Sequence, residues 1–195
     1  GENRIDTPFV TLCADLPPGG CLAMKRGGER TLITTRGAND RLCKTLRSHP
    51  QAVADWVAQA RIVHLSSFLD PDSPALLTEL LASCRDRNPE LEISIDPGAH
   101  WTSEYRSNAC VRRLLDMATL LFVNQEEFDL IHGSGLASSE SCAARIALAP
   151  RPPHARTLLK QPDRLILFDA AGKVLSAPVH AQLAPEEILD STGAG

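Results

Sequence analysis

The sequence predicts an α/β fold, with a mostly parallel central sheet flanked by helices and a small β-hairpin ahead of it. Two observations carry this. From Pro50 onward, stretches with helical apolar spacing alternate with short apolar strands, the pattern of a parallel sheet covered on both faces. Before Pro50, two β-like segments flank Arg26-Gly27-Gly28, a hairpin turn.

Taken in order, residues 20–25 and 29–35 form the hairpin strands. Val53, Trp56, Val57 and Ala60 then lie at i, i+3, i+4 and i+7, one apolar stripe of a helix whose first turn suits Pro50. Residues 62–66 read as a strand. Ser73 and Pro74 make an N-cap and first helical residue, and Leu76, Leu77, Leu80, Leu81 and Cys84 supply the buried face of the helix that follows. A strand over 91–96 stops at Pro97-Gly98, a helix covers 105–117, and residues 120–123 form a wholly apolar strand. A helix around 139–147 precedes a connector, Pro150-Arg151-Pro152-Pro153. Strands follow at 157–160, 165–168 and 174–177, the last two joined through Ala171-Gly172. The 195 residues are enough for one domain with a substantial core. We expect a hairpin over about 19–39 and an α/β core over about 50–195.

Composition narrows the function. A net charge of −4 leaves no electrostatic footprint for nucleic acid or an anionic membrane, so neither is expected as a partner. No apolar run approaches the ~20 residues of a membrane-spanning helix. The six cysteines share no Cys-x-x-Cys spacing, and the six histidines are equally scattered, so no zinc pattern emerges. Such thiols read as reduced, small hydrophobes, and the expected compartment is the cytoplasm. The chain opens on Gly1-Glu2-Asn3-Arg4, without Met or a signal-like apolar region, and we expect it to begin inside a longer protein.

In a parallel sheet, ligand chemistry gathers beyond the carboxyl ends of the strands. That rim collects Ser66-Ser67, Asp96-Pro97-Gly98 and Asn124. Asp96 also reads as a turn former before Pro97. In Asn124-Gln125-Glu126-Glu127, an Asn N-cap with Glu three residues on makes a capping box, which alone explains both side chains. The chain ends on Ile188-Leu189-Asp190-Ser191-Thr192-Gly193-Ala194-Gly195. Its glycines remove the side chains that would keep an anion from the peptide N–H groups.

Asp-Ser-Thr-Gly-Ala-Gly resembles the D-T-G-A-G-D signature of ribokinase-like sugar kinases, the phosphofructokinase-B family, and Asn124 with Glu127 resembles that family's N-x-x-E motif. The resemblance implies a ribokinase-like three-layer sandwich in which the hairpin is a β-lid over the sugar. It implies that Gly193, Ala194 and Gly195 form the anion hole for the transferred phosphoryl group. The catalytic base would be an Asp immediately after Gly195, one position beyond the chain, so the chain alone is expected to be inactive. Glu127 would help position Mg²⁺ through water and phosphates, because phosphoryl transfer needs its developing charge neutralised. Asp190, with a carbonyl from Thr192, would hold a monovalent cation such as K⁺. Asn124, Lys160 and Thr192 fall beside the nucleotide; Arg36, Asn39, Ser67 and Asp96 fall beside the substrate. The phrase Gly28-Glu29-Arg30-Thr31, followed by Arg36-Gly37-Ala38-Asn39, resembles the lid strand and its return to the core.

Two departures stand out. Ser67 occupies a place where ribokinases use an acidic sugar-binding residue, which counts against ribose. Lys160-Gln161-Pro162-Asp163-Arg164 lacks the glycine that relatives carry near the nucleotide; Lys160 reads either as a phosphate contact or as a surface lysine. The implied activity is ATP-dependent phosphorylation of a sugar hydroxyl, with ATP and Mg²⁺ as cofactors and a homodimer through the lid in the full-length parent. An adenosine-type nucleoside kinase and a non-catalytic module with the same fold are the alternatives. A dinucleotide-binding oxidoreductase would need a glycine fingerprint at a first strand, and none is present.

Overall fold

The computed structural model describes residues 5–26, 29–67, 70–135 and 139–179. Strands β1 (Gly20–Arg26) and β2 (Glu29–Thr35) pair antiparallel, with Gly20 opposite Thr35 and Arg26 opposite Glu29. Alternation puts Leu22, Met24 and Ile33 on one face of this ribbon and Leu32 on the other, and all four are exposed. The expected turn glycines, Gly27 and Gly28, lie outside the described residues.

A 3₁₀ turn (Gly37–Arg41) and helix α1 (Leu42–Ser48), neither of them anticipated, lead into α2 (Pro50–Val57). The stripe expected on α2 is corrected in part. Val53 is buried, but Ala54 rather than Trp56 joins it; Trp56 is 43% exposed and meets the Phe9 ring edge-on. Strand β3 (Ile62–Ser66) is followed by α3 (Ser73–Arg87). Its N-cap is Asp72, one residue earlier than the sequence reading, and Ser73 is the first helical residue, its hydroxyl donating to the Asp70 carbonyl at 2.8 Å.

After β4 (Glu92–Asp96) the single expected helix is two: α4 (Gly98–Glu104) and α5 (Ala109–Asp116). The break is chemical. Asn108 adopts an extended conformation, and its side-chain oxygen accepts from the N–H groups of Cys110 and Val111, so a new helix starts there. Strand β5 (Leu120–Asn124), helices α6 (Gln125–His132) and α7 (Ser139–Ala147), and strands β6 (Arg156–Lys160), β7 (Arg164–Asp169) and β8 (Val174–Pro178) complete the described chain. Gly172, at φ +81°, turns β7 into β8.

The six-stranded sheet runs β3-β4-β5-β6-β7-β8, parallel through β6 and antiparallel beyond it. Three crossovers step the same way along it, and a common hand puts their helices on one side. Leu77 and Leu81 of α3, Trp101 of α4, Leu114 of α5, Phe128 of α6 and Ile146 of α7 accordingly share one core cluster with Ile93, Ile95, Leu121, Val123, Leu159 and Phe168 of the sheet. The opposite sheet face is different. It carries Leu120, Phe122 and Leu158, none of them fully buried, between the ion pairs Glu92–Arg156 (2.8 Å) and Asp96–Lys160 (3.3 Å). Among the described residues, helices therefore layer one face of the sheet. None of the six cysteines is joined in a disulfide.

Candidate active site

Four parallel strands end at one rim. β3 ends at Ser66, which pairs with Asp96 at the end of β4; β5 ends at Asn124, which pairs with Lys160 at the end of β6. Lys160 is not the surface lysine of the sequence reading. Its ammonium reaches across β5 to Asp96 Oδ2 at 3.3 Å, and both side chains are partly buried.

The strand-to-helix turn at Asn124 fixes the centre of the rim. Asn124 Oδ1 accepts from the Glu127 N–H at 2.8 Å, and Glu127 Oε2 accepts from the Asn124 N–H at 2.9 Å, a complete capping box. Glu127 is 7% exposed. Burial raises its pKa above the ordinary carboxyl value and nearby Asp96 adds to the rise, while the Asn124 N–H and Lys160 oppose it. Asp96, Glu127 and Lys160 thus form one electrostatic cluster.

Ser67 joins the rim through Gly98. That residue holds φ +55°, and a Cβ added to it would sit 2.9 Å from Ser67 Oγ, so the hydroxyl occupies space left by the missing side chain. Gln161 and Gln125, two residues the sequence reading passed over, tie the β6–β7 turn to the start of α6: Gln161 Nε2 donates to Gln125 Oε1 at 2.8 Å. Only their place beside the motifs hinted at this. The turn closes without glycine, through the Gln161 N–H on the Arg164 carbonyl at 3.0 Å.

Arg36 and Asn39 stand elsewhere. Arg36 pairs with Asp40 at 3.0 Å, and the Asn39 amide packs against Gly19, both at the foot of the hairpin. Arg36 lies close enough to Asp70, in the loop after β3, to help lower that carboxyl's pKa; the Cys43 thiol is the larger cause. Asp190, Thr192, Gly193, Ala194 and Gly195 lie outside the described residues. The described residues contain no group of three or more His, Cys, Asp or Glu side chains able to cage a metal. Two neighbouring carboxylates beside an ammonium fit the other mode of Mg²⁺ binding, in which phosphates and water supply most of the ligands.

The model of pfkB family carbohydrate kinases matches residues 1–195. The chain belongs to that family. Three solved structures with the same fold as this pfkB-family chain are Giardia lamblia ribokinase, Anopheles gambiae adenosine kinase with a di(adenosine) tetraphosphate, and Schistosoma mansoni adenosine kinase with 2-fluoroadenosine. The ribokinase is 17% identical with a TM-score of 0.70, over 88% of this chain and 52% of that one. The two adenosine kinases are 20% and 14% identical with TM-scores of 0.74 and 0.71, each over 93% of this chain and 54% of theirs. The chain spans about half the length of these relatives, and at such identities the likeness is one of fold. No curated protein matches it. Among the described residues, no helix is long and apolar enough to cross a membrane.

Proposed function

We propose that this chain is the phosphate-handling part of an ATP-dependent kinase that phosphorylates a hydroxyl of a sugar. The observation that carries the reading is the convergence of Asp96, Asn124, Glu127 and Lys160, from three strand ends and one helix start, on a single rim. In this role the Lys160 ammonium meets the nucleotide phosphates, and the capping box holds Glu127 with its carboxyl turned back on the strand end. Mg²⁺, carried on the phosphates, would neutralise charge developing on the transferred group, with Asp96 and Glu127 as its protein-side neighbours. Ser67 and Asp96 face the acceptor; Arg36 and Asn39, at the foot of the hairpin, would act on it from the lid. Gly193, Ala194 and Gly195 form the anion hole, and Asp190 with Thr192 takes the monovalent cation.

A nucleoside acceptor is the second reading, favoured by the adenosine kinases among the structural neighbours. The deciding experiment is transfer of label from [γ-³²P]ATP, with Mg²⁺, to ribose, fructose or adenosine by the full-length protein, alongside ATP binding by this chain. Transfer to a sugar sustains the first reading, and transfer to adenosine alone selects the second. ATP binding without any transfer leaves a non-catalytic module. No ATP binding overturns all three.

A further inference from the structure

The ion pair between Asp96 and Lys160 has a consequence for how the rim admits an anion; it rests on the phosphate-binding reading above. The cluster holds two carboxyl groups, Asp96 and Glu127, against one ammonium. A polyphosphate approaching Lys160 therefore meets a cation already engaged by Asp96, with a second carboxyl close behind. The contact is suited to exchange rather than to permanent bracing. Its 3.3 Å separation is long for a charge-assisted hydrogen bond, and the two side chains remain 27% and 37% exposed. Lysine adds the right mechanics: a compact charge on a flexible four-carbon stem, with three donors that need no fixed partner geometry. An arginine locked two-pronged onto the same carboxylate would not let go so readily.

We propose that Asp96 is a positioning residue that holds Lys160 in reserve at the mouth of the phosphate site, so that a polyphosphate binds by drawing the ammonium off the carboxylate. Asp96 thereby lowers the affinity for bare anions and keeps Lys160 extended across β5, over the rim, instead of into solvent. The groups facing Lys160 in this exchange are Asp96 of β4, Glu127 of α6 and, by register, Asn124 of β5.

The test is binding of inorganic tripolyphosphate and of ATP, both in EDTA, to this chain and to Asp96→Asn, Lys160→Met and the double variant, with thermal melting to verify folding. Asn keeps the size and polarity of Asp and removes only its charge. Asp96→Asn should bind tripolyphosphate about tenfold more tightly than the parent at ~0.05 M salt, with the gain shrinking at ~0.5 M. Lys160→Met should bind about tenfold more weakly, and the double variant no more tightly than Lys160→Met, because Asp96 acts through Lys160. A purely structural ion pair would move both single variants in the same direction, and that result overturns the proposal. So does a gain from Asp96→Asn that survives in the Lys160→Met background, which would make Asp96 a simple repeller. If the parent binds either anion but Asp96→Asn gains nothing, this inference alone falls. If the parent binds neither anion under any condition, the phosphate-binding reading falls and takes the inference with it.

Discussion

Asn124 and Glu127 exchange two hydrogen bonds across the first turn of α6, at 2.8 and 2.9 Å, and this reciprocal pair buries the Glu127 carboxyl beside Asp96 and Lys160. The same geometry serves as helix cap and as site, so charge and hydrogen bonding must be separated to learn which matters.

Glu127→Gln separates them. The amide oxygen still accepts from the Asn124 N–H, so the box survives and unfolding free energy should stay within ~0.5 kcal/mol at neutral pH; a lost cap would cost ~0.5–2 kcal/mol. On the proposed kinase reading, losing the charge should raise the Mg²⁺ requirement of phosphoryl transfer and lower its kcat. The pH profile carries a second signature. Because the folded-state pKa of Glu127 is raised, its contribution to stability is greatest below the unfolded value and is lost as pH rises through the folded one. Urea midpoints across this acidic range should therefore lose that component in Glu127→Gln. Unchanged kcat and Mg²⁺ dependence would reduce the motif to a helix cap.

His132 predicts an acid-side loss. It is 8% exposed at the end of α6, its ring centroid is 4.6 Å from that of Phe128, and its Nε2 has no hydrogen-bond partner among the described residues. Burial, with Arg151 and Arg145 nearby, pulls its pKa down to about 4 from an ordinary 6.5. The unfolded chain thus takes up a proton that the folded one refuses. Stability held above pH 6.5 should drain away as pH falls toward 4, by up to about 3 kcal/mol. In His132→Leu the difference in unfolding free energy between pH 7 and pH 4.5 should be smaller than in the parent. Identical differences would show that His132 titrates alike in the folded and unfolded chain.

Gly98→Ala tests the turn that joins Ser67 to Asp96. Two costs are expected: a left-handed φ of +55°, and a Cβ 2.9 Å from Ser67 Oγ. Together they should destabilise the chain by about 1–3 kcal/mol. Adding Ser67→Gly removes only the contact, so the double variant should recover part of the loss and not all of it. Full recovery would mean the backbone conformation carries no strain.

The fold was legible because its signals are local. Leu77, Leu81 and Cys84 repeat at helical spacing, the apolar run from Leu120 to Val123 marks a strand, and Asn124 with Glu127 announces a helix start; each is read within a few residues and each is found. Where local signals competed, the reading slipped. Nothing in residues 105–117 showed that Asn108 would accept from two amides ahead of it and divide the expected helix, and Trp56 obeyed its period yet lies on the exposed side of α2.

Long-range partners were beyond any such reading. Arg151 sat in a proline-rich string that looked like a mere connector. In the structure it is held by the Ala118 carbonyl at 2.9 Å, the Arg156 carbonyl at 3.3 Å and Thr157 Oγ1 at 2.6 Å, and burial lowers its pKa to about 10. Lys160 and Asp96, 64 residues apart, meet only because β4 and β6 flank the same central strand. The sequence by itself determined where the core strands and most of the helices lie and which motif residues stand at strand ends, since propensity, capping and apolar period act between near neighbours. Tertiary structure alone decided which charges face one another, because strand order and register place side chains from distant segments within a few ångströms, and no spacing along the chain encodes that distance.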